Sequence, residues 1–131
     1  MHRDRWIDAV AVGLAAIPIL AAVALWPTLP EEMAVHWGPT GPDWFLEKPL
    51  ATLGLFAFAI ATIAFVRLAP DSITNTPGGT NPSVLFLGFT FGWVEGLVVV
   101  WNLGIRFPVE LAVLPVVLLA GLLVAVSLWG R

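Results

Sequence analysis

Four long apolar runs dominate the chain and decide which solvent it can fold in. Ile7–Trp26 carries Asp8 as its only charge, Leu50–Val66 carries none, Val84–Leu103 carries only Glu95, and Leu111–Trp129 carries none. About 20 apolar residues rising about 1.5 Å each cross a hydrocarbon core, and every run reaches or approaches that length. A backbone in lipid must satisfy its own hydrogen bonds, so the runs are expected as helices. Spanning strands would alternate apolar and polar residues, and these runs do not. Of the 131 residues, 59% are hydrophobic and 11% charged, against about 25% charged in a soluble domain. That balance excludes a soluble enzyme and a disordered chain, and the absence of cysteine excludes a disulfide scaffold. A net charge of −3 offers no electrostatic footprint for nucleic acid.

The expected fold is all-α and integral to the membrane, a single domain of four transmembrane helices. Helix 1 covers about residues 6–26, a cap 27–48, helix 2 about 49–69, a linker 70–82, helix 3 about 83–103 and helix 4 about 109–129. Trp6, Trp26, Trp101 and Trp129 stand near run ends, where indoles prefer the headgroup level. Pro18 and Pro115 lie inside helices 1 and 4 and are expected to bend them. Residues 1–24 have a rival reading as a cleaved signal peptide ending at Ala22-Val23-Ala24. The apolar stretch is longer than such a peptide needs, which favours a retained span. Thr74–Pro82 is turn and linker chemistry, expected as a flexible tether. Four spans put Arg3, Arg5, Arg67 and Arg131 on one side and Lys48 and Arg106 on the other. The basic side faces the cytoplasm, so both termini are expected there.

The first connection is the most informative. Residues 26–49 hold five prolines and two glycines, which argues against a long helix. Yet Trp26, Met33, Val35, Trp37, Trp44 and Phe45 are too apolar for a solvated loop. The expectation is a compact cap on the bilayer surface, its aromatic rings toward the headgroups and its acids in water. His36 can pin that cap by bonding a loop carbonyl or Asp43. It can also sense pH, or join Glu31, Glu32 or Asp43 around a metal, although their spacing is not that of a zinc site. Lys48 can pair with Asp43 or Glu47, reach a lipid phosphate, or snorkel. The residues call for no metal and no cofactor.

Leu29-Pro30, Met33-Ala34-Val35-His36-Trp37, Gly41, Asp43 and Lys48-Pro49 resemble a family of small prokaryotic membrane proteins. That family carries a domain of unknown function shared with the SdpI-like immunity proteins. The resemblance covers about residues 5–70. It departs at Gly38, where the family often has Asn, and in a Gly41-to-Lys48 segment about one residue shorter than the family pattern. It implies an integral protein of the prokaryotic plasma membrane, linked to self-protection against a membrane-active toxin peptide. His36, Trp37, Gly41, Asp43, Trp44 and Lys48 are then the candidate partner-binding residues of the cap.

Helix 3 carries a second pattern. At about 100° per residue, Gly88, Gly92, Glu95, Gly96, Val99 and Asn102 share one face, and Trp93, Leu97 and Trp101 lie opposite. The small residues invite close approach of another helix. Glu95 falls mid-span, where an ionisable group faces a bundle interior or water. The tryptophan face is expected to meet lipid. Three roles for Glu95 follow: hydrogen-bonding glue within the bundle or a homo-oligomer, a proton- or cation-coupling site, or a catalyst. Apart from Asp8 at the start of the first run, the spans hold no second acid, histidine, serine dyad or cysteine to complete a catalyst, so no enzyme is expected.

Two functions of different class remain. One is an interaction protein of immunity or sensor type, whose partners are the lipid bilayer, a toxin peptide or a membrane-protein helix. The other is a small proton- or ion-coupled transporter or channel subunit built around Glu95.

Overall fold

The computed structural model describes residues 2–70 and 80–129. Helix α1 (His2–Ala24) leads through a short 3-10 turn (Trp26–Thr28) into strands β1 (Glu32–Gly38) and β2 (Gly41–Glu47). A π-helical turn (Leu50–Gly54) then opens α2 (Leu55–Leu68), followed by α3 (Thr80–Asn102), α4 (Val109–Ala112) and α5 (Leu114–Trp129). Four helical stretches are long and apolar enough to cross a membrane: Asp4–Ala24, Leu50–Leu68, Thr80–Asn102 and Val109–Trp129. This is a multi-pass membrane architecture, with the spans where the apolar runs put them.

Local chemistry sets the boundaries. Pro82 sits in the first turn of α3, where its missing N–H is no loss. The helix therefore begins at Thr80, inside the expected linker; residues 71–79 of that linker lie outside the described residues. Pro18 stays within α1, which continues through it. Pro115 does not bend the interior of a fourth helix as expected. The helix breaks at Val113, and Pro115 becomes the second residue of α5, a position that needs no amide donor.

The first and third helices form the main interface. A Cβ placed on Gly88 would meet the Ala11 Cα at 2.5 Å, one on Gly92 would strike the Leu14 carbonyl, and one on Gly96 would come 3.9 Å from Pro18. The paired numbers rise together, so α1 and α3 run in the same direction. Ala11, Ala15 and Ala22 of α1 are fully buried, with Ile7 and Ile19 on the same stripe. Two stripes of small residues thus bring the backbones together, the geometry that drives helix association in lipid. Helix α2 adds Ala59 and Ile63 to this core, and its Phe58 meets Phe91 of α3 edge-to-face at 5.7 Å. Helix α5 contributes no buried residue.

The cap between α1 and α2 is a β-hairpin, an element the all-α expectation left out. Its strands are antiparallel, with Met33 opposite Leu46, Ala34 opposite Phe45 and Trp37 opposite Pro42. The register shifts on either side of His36, and Met33 and Ala34 are both buried. Met33 packs with Ala22, Leu29, Ala51, Val98 and Val99, joining the hairpin to the ends of all three core helices.

Candidate functional site

Two places gather the residues singled out in the sequence: the hairpin and the mid-bundle Glu95. The hairpin forms because Met33, Val35 and Trp37 alternate with Glu32 and His36, and Gly38-Pro39-Thr40-Gly41 supplies the reversal. Gly41 takes φ +119°, which a side chain would strain. Gly38 leaves room for Asp43, whose Oδ2 would lie 2.6 Å from an added Cβ.

Three anchors fix the hairpin. Asn102, at the end of α3, accepts the Ala34 N–H at 2.9 Å and donates to the Ala34 carbonyl at 2.9 Å. Trp37 packs edge-to-face on Trp101 at 5.5 Å. Lys48 donates from Nζ to the Trp26 carbonyl at 2.9 Å, with its ammonium 5.1 Å from the Trp26 ring centroid. Its backbone N–H reaches the Glu31 carbonyl at 2.7 Å, and its own carbonyl accepts the Thr52 hydroxyl at 2.8 Å. Lys48 is therefore a clasp between helix end and hairpin, rather than an ion-pair partner of Asp43 or Glu47. His36 Nδ1 lies 2.6 Å from Asp43 Oδ1 across the strands, the contact expected of a residue that pins the cap.

The exposed surface of the hairpin differs from the expected set. Trp37 is half-buried, whereas Trp44 (60% exposed) and Phe45 (49%), on opposite faces of β2, are both exposed. Phe45 was missed as a site residue because its exposure depends on strand register, which composition does not reveal. Nor do the tryptophans of α3 simply face lipid. Trp93 donates its indole N–H to the Ala112 carbonyl at 2.7 Å. Trp101 is boxed in by Trp37, by Phe107 at 5.3 Å and by the Arg106 guanidinium at 4.6 Å. A tryptophan N–H needs an acceptor, and one that finds it in a neighbouring helix becomes a contact residue.

Glu95 is 2% exposed, on the stripe of Gly88, Gly92 and Gly96. Among the described residues neither carboxyl oxygen has a hydrogen-bond partner. Hydrogen-bonding glue requires such a partner, and burial inside one copy takes the side chain away from an interface between copies. The structure shows no such bond for the Glu95 carboxyl group among the described residues. On the facing helix, Pro18 has no N–H to give the Leu14 carbonyl, and Gly92 packs against that same carbonyl. Asn102 belongs to the hairpin contact instead of the glycine contact.

A polar cluster at the opposite end escaped the sequence reading. Arg67 donates from Nε (3.0 Å) and Nη2 (2.7 Å) to Asp8 Oδ1, and from Nη1 to Asn81 Oδ1 at 2.7 Å. Asn81 in turn donates to Asp4 at 3.1 Å. One guanidinium thus ties together α1, α2 and α3. The available signal was Asp8, a lone charge in an apolar run, which demands a partner.

Among the described residues no group of three or more His, Asp or Glu side chains is placed to hold a metal. A family model described as "Domain of unknown function (DUF1648)" matches residues 13–60. That stretch runs from α1 through the hairpin into α2, and it supports the domain-of-unknown-function part of the resemblance. No curated protein and no solved structure matches the chain.

Proposed function

We propose that the chain is a non-enzymatic membrane protein of the immunity or sensor type, whose hairpin edge meets a membrane-active peptide or the transmembrane helix of a partner. The observation that carries this reading is the exposure of Trp44 and Phe45 on a hairpin clamped to three helices. Exposed aromatic side chains on a rigid support are what an interface anchor requires. The resemblance to SdpI-like immunity proteins supports the same reading. The proposal places the protein in a prokaryotic plasma membrane with both termini in the cytoplasm and the hairpin outside. A photoreactive residue at Trp44 in native membranes tests it. A discrete protein or peptide adduct, lost when Phe45 is changed to Ala, is the expected result; crosslinks to lipid alone overturn it.

Glu95 favours a second reading, that of a small proton- or cation-coupled transporter or channel subunit. The support is a mid-span carboxyl group without a partner. In liposomes, a proton or cation flux abolished by Glu95→Gln is the expected result, and an unchanged flux removes this reading.

A further inference from the structure

The seam between α3 and the α4–α5 span is poorly filled. Near the hairpin it opens as a cleft of about 510 Å³, lined by Trp37, Pro39, Trp101, Phe107 and Glu110. A second chamber of about 210 Å³ extends it between Val94, Leu97 and Val113, and shares Trp37, Phe107 and Val109 with the first. Toward the other end, the same seam holds an apolar cavity of about 370 Å³ lined by Leu85, Phe89, Leu119 and Leu123. The cleft and the apolar cavity fall in the range of small-molecule sites, about 300–1,000 Å³, and the chamber beside the cleft is narrower.

We propose that this seam binds one phospholipid with an amine-bearing zwitterionic headgroup, the headgroup in the cleft under the hairpin tip and an acyl chain between α3 and α5. The polarity runs the right way for an amphipath. The mouth carries Glu110 in its lining. Arg106 lies on the ring of Trp101, itself a lining residue, and donates from Nη1 to the Trp101 carbonyl, which leaves its other N–H groups for a phosphate. His36 apart, the inner chambers are apolar. Glu110 and Arg106, of opposite sign and four residues apart, complement the ammonium and the phosphate of one headgroup. Trp37 lines both chambers and gives the path from cleft to inner chamber one continuous aromatic wall. An α-helix about 10 Å across cannot enter the inner chamber, whereas a single hydrocarbon chain can. The inference concerns lipid held by the chain itself and stands apart from any partner of the Trp44 edge.

The test is native mass spectrometry of the full chain in detergent with phosphatidylethanolamine or phosphatidylglycerol added. One retained phosphatidylethanolamine, favoured about fivefold over phosphatidylglycerol, is expected for a single well-placed charge contact. Glu110→Gln should erase the preference, and Arg106→Gln should lower retention of both lipids; both side chains are exposed, so the fold should persist. Equal retention of the two lipids, or a preference indifferent to Glu110→Gln, overturns the proposal. A photoreactive residue at Val113, with both charges intact, gives an independent readout. Lipid adducts support the proposal; adducts to a second copy or to a peptide refute it.

Discussion

Asn102 treats Ala34 as a strand would: its Oδ1 accepts the N–H and its Nδ2 donates to the carbonyl, each at 2.9 Å. A helix end thereby supplies the third edge of a two-stranded sheet. An isolated hairpin is marginal in water, and this one is seated by a side-chain amide.

Asn102→Ala should therefore loosen the hairpin without unfolding the spans. Ala34 is 2% exposed, so the orphaned backbone groups cost about 2 kcal/mol. Faster hydrogen exchange of β1 amides, with helical circular dichroism unchanged, is the expected result.

The glycine stripe predicts a contrast. Gly88→Ala must push against the Ala11 backbone at 2.5 Å, whereas Gly121→Ala meets nothing within 4 Å. Overpacking of that kind costs about 1–3 kcal/mol. Thermal unfolding in detergent should fall for the first variant and stay level or rise for the second.

Replacing Glu95 with Leu should raise stability. A buried polar group with no partner carries a desolvation penalty of about 1–3 kcal/mol, and its two oxygens have no bond to lose. A higher melting temperature for Glu95→Leu than for the parent chain is expected; a marked loss would show that the carboxyl group holds the bundle together.

Arg67→Gln should weaken the end of the bundle away from the hairpin. The Arg67 side chain is 17% exposed, but its partners Asp8 and Asp4 are 37% and 46% exposed. Solvent screening then limits the loss to about 1 kcal/mol. Double-mutant cycles with Asp8→Asn, read by thermal unfolding, would measure the coupling.

The spans were legible because hydrocarbon imposes length and composition together. Helix 3's packing face was legible for a related reason: Gly88, Gly92 and Glu95 recur at helical spacing, and all three lie against the bundle. The matching stripe on α1, Ala11, Ala15 and Ala22, has the same spacing, but alanine is too common in an apolar run to stand out. The hairpin was hidden by Pro39 and Pro42, which read as breakers although Pro39 lies in the reversal and Pro42 opposite Trp37 near it. The reach of Asn102 to Ala34 and of Arg67 to Asp8 spans much of the chain, and no local pattern encodes such pairs. The contacts of Trp93 and Trp101 were not legible because they depend on where α4 returns, which Gly104–Pro108 decides.

The parallel pairing of α1 with α3 also bears on biosynthesis. The surface that α1 needs is made only after the hairpin and α2 have emerged from the ribosome. The first helix must therefore wait in the bilayer or its insertion machinery with Ala11 and Ala15 uncovered. Insertion of the third helix then becomes the step that commits the nascent chain to its native arrangement.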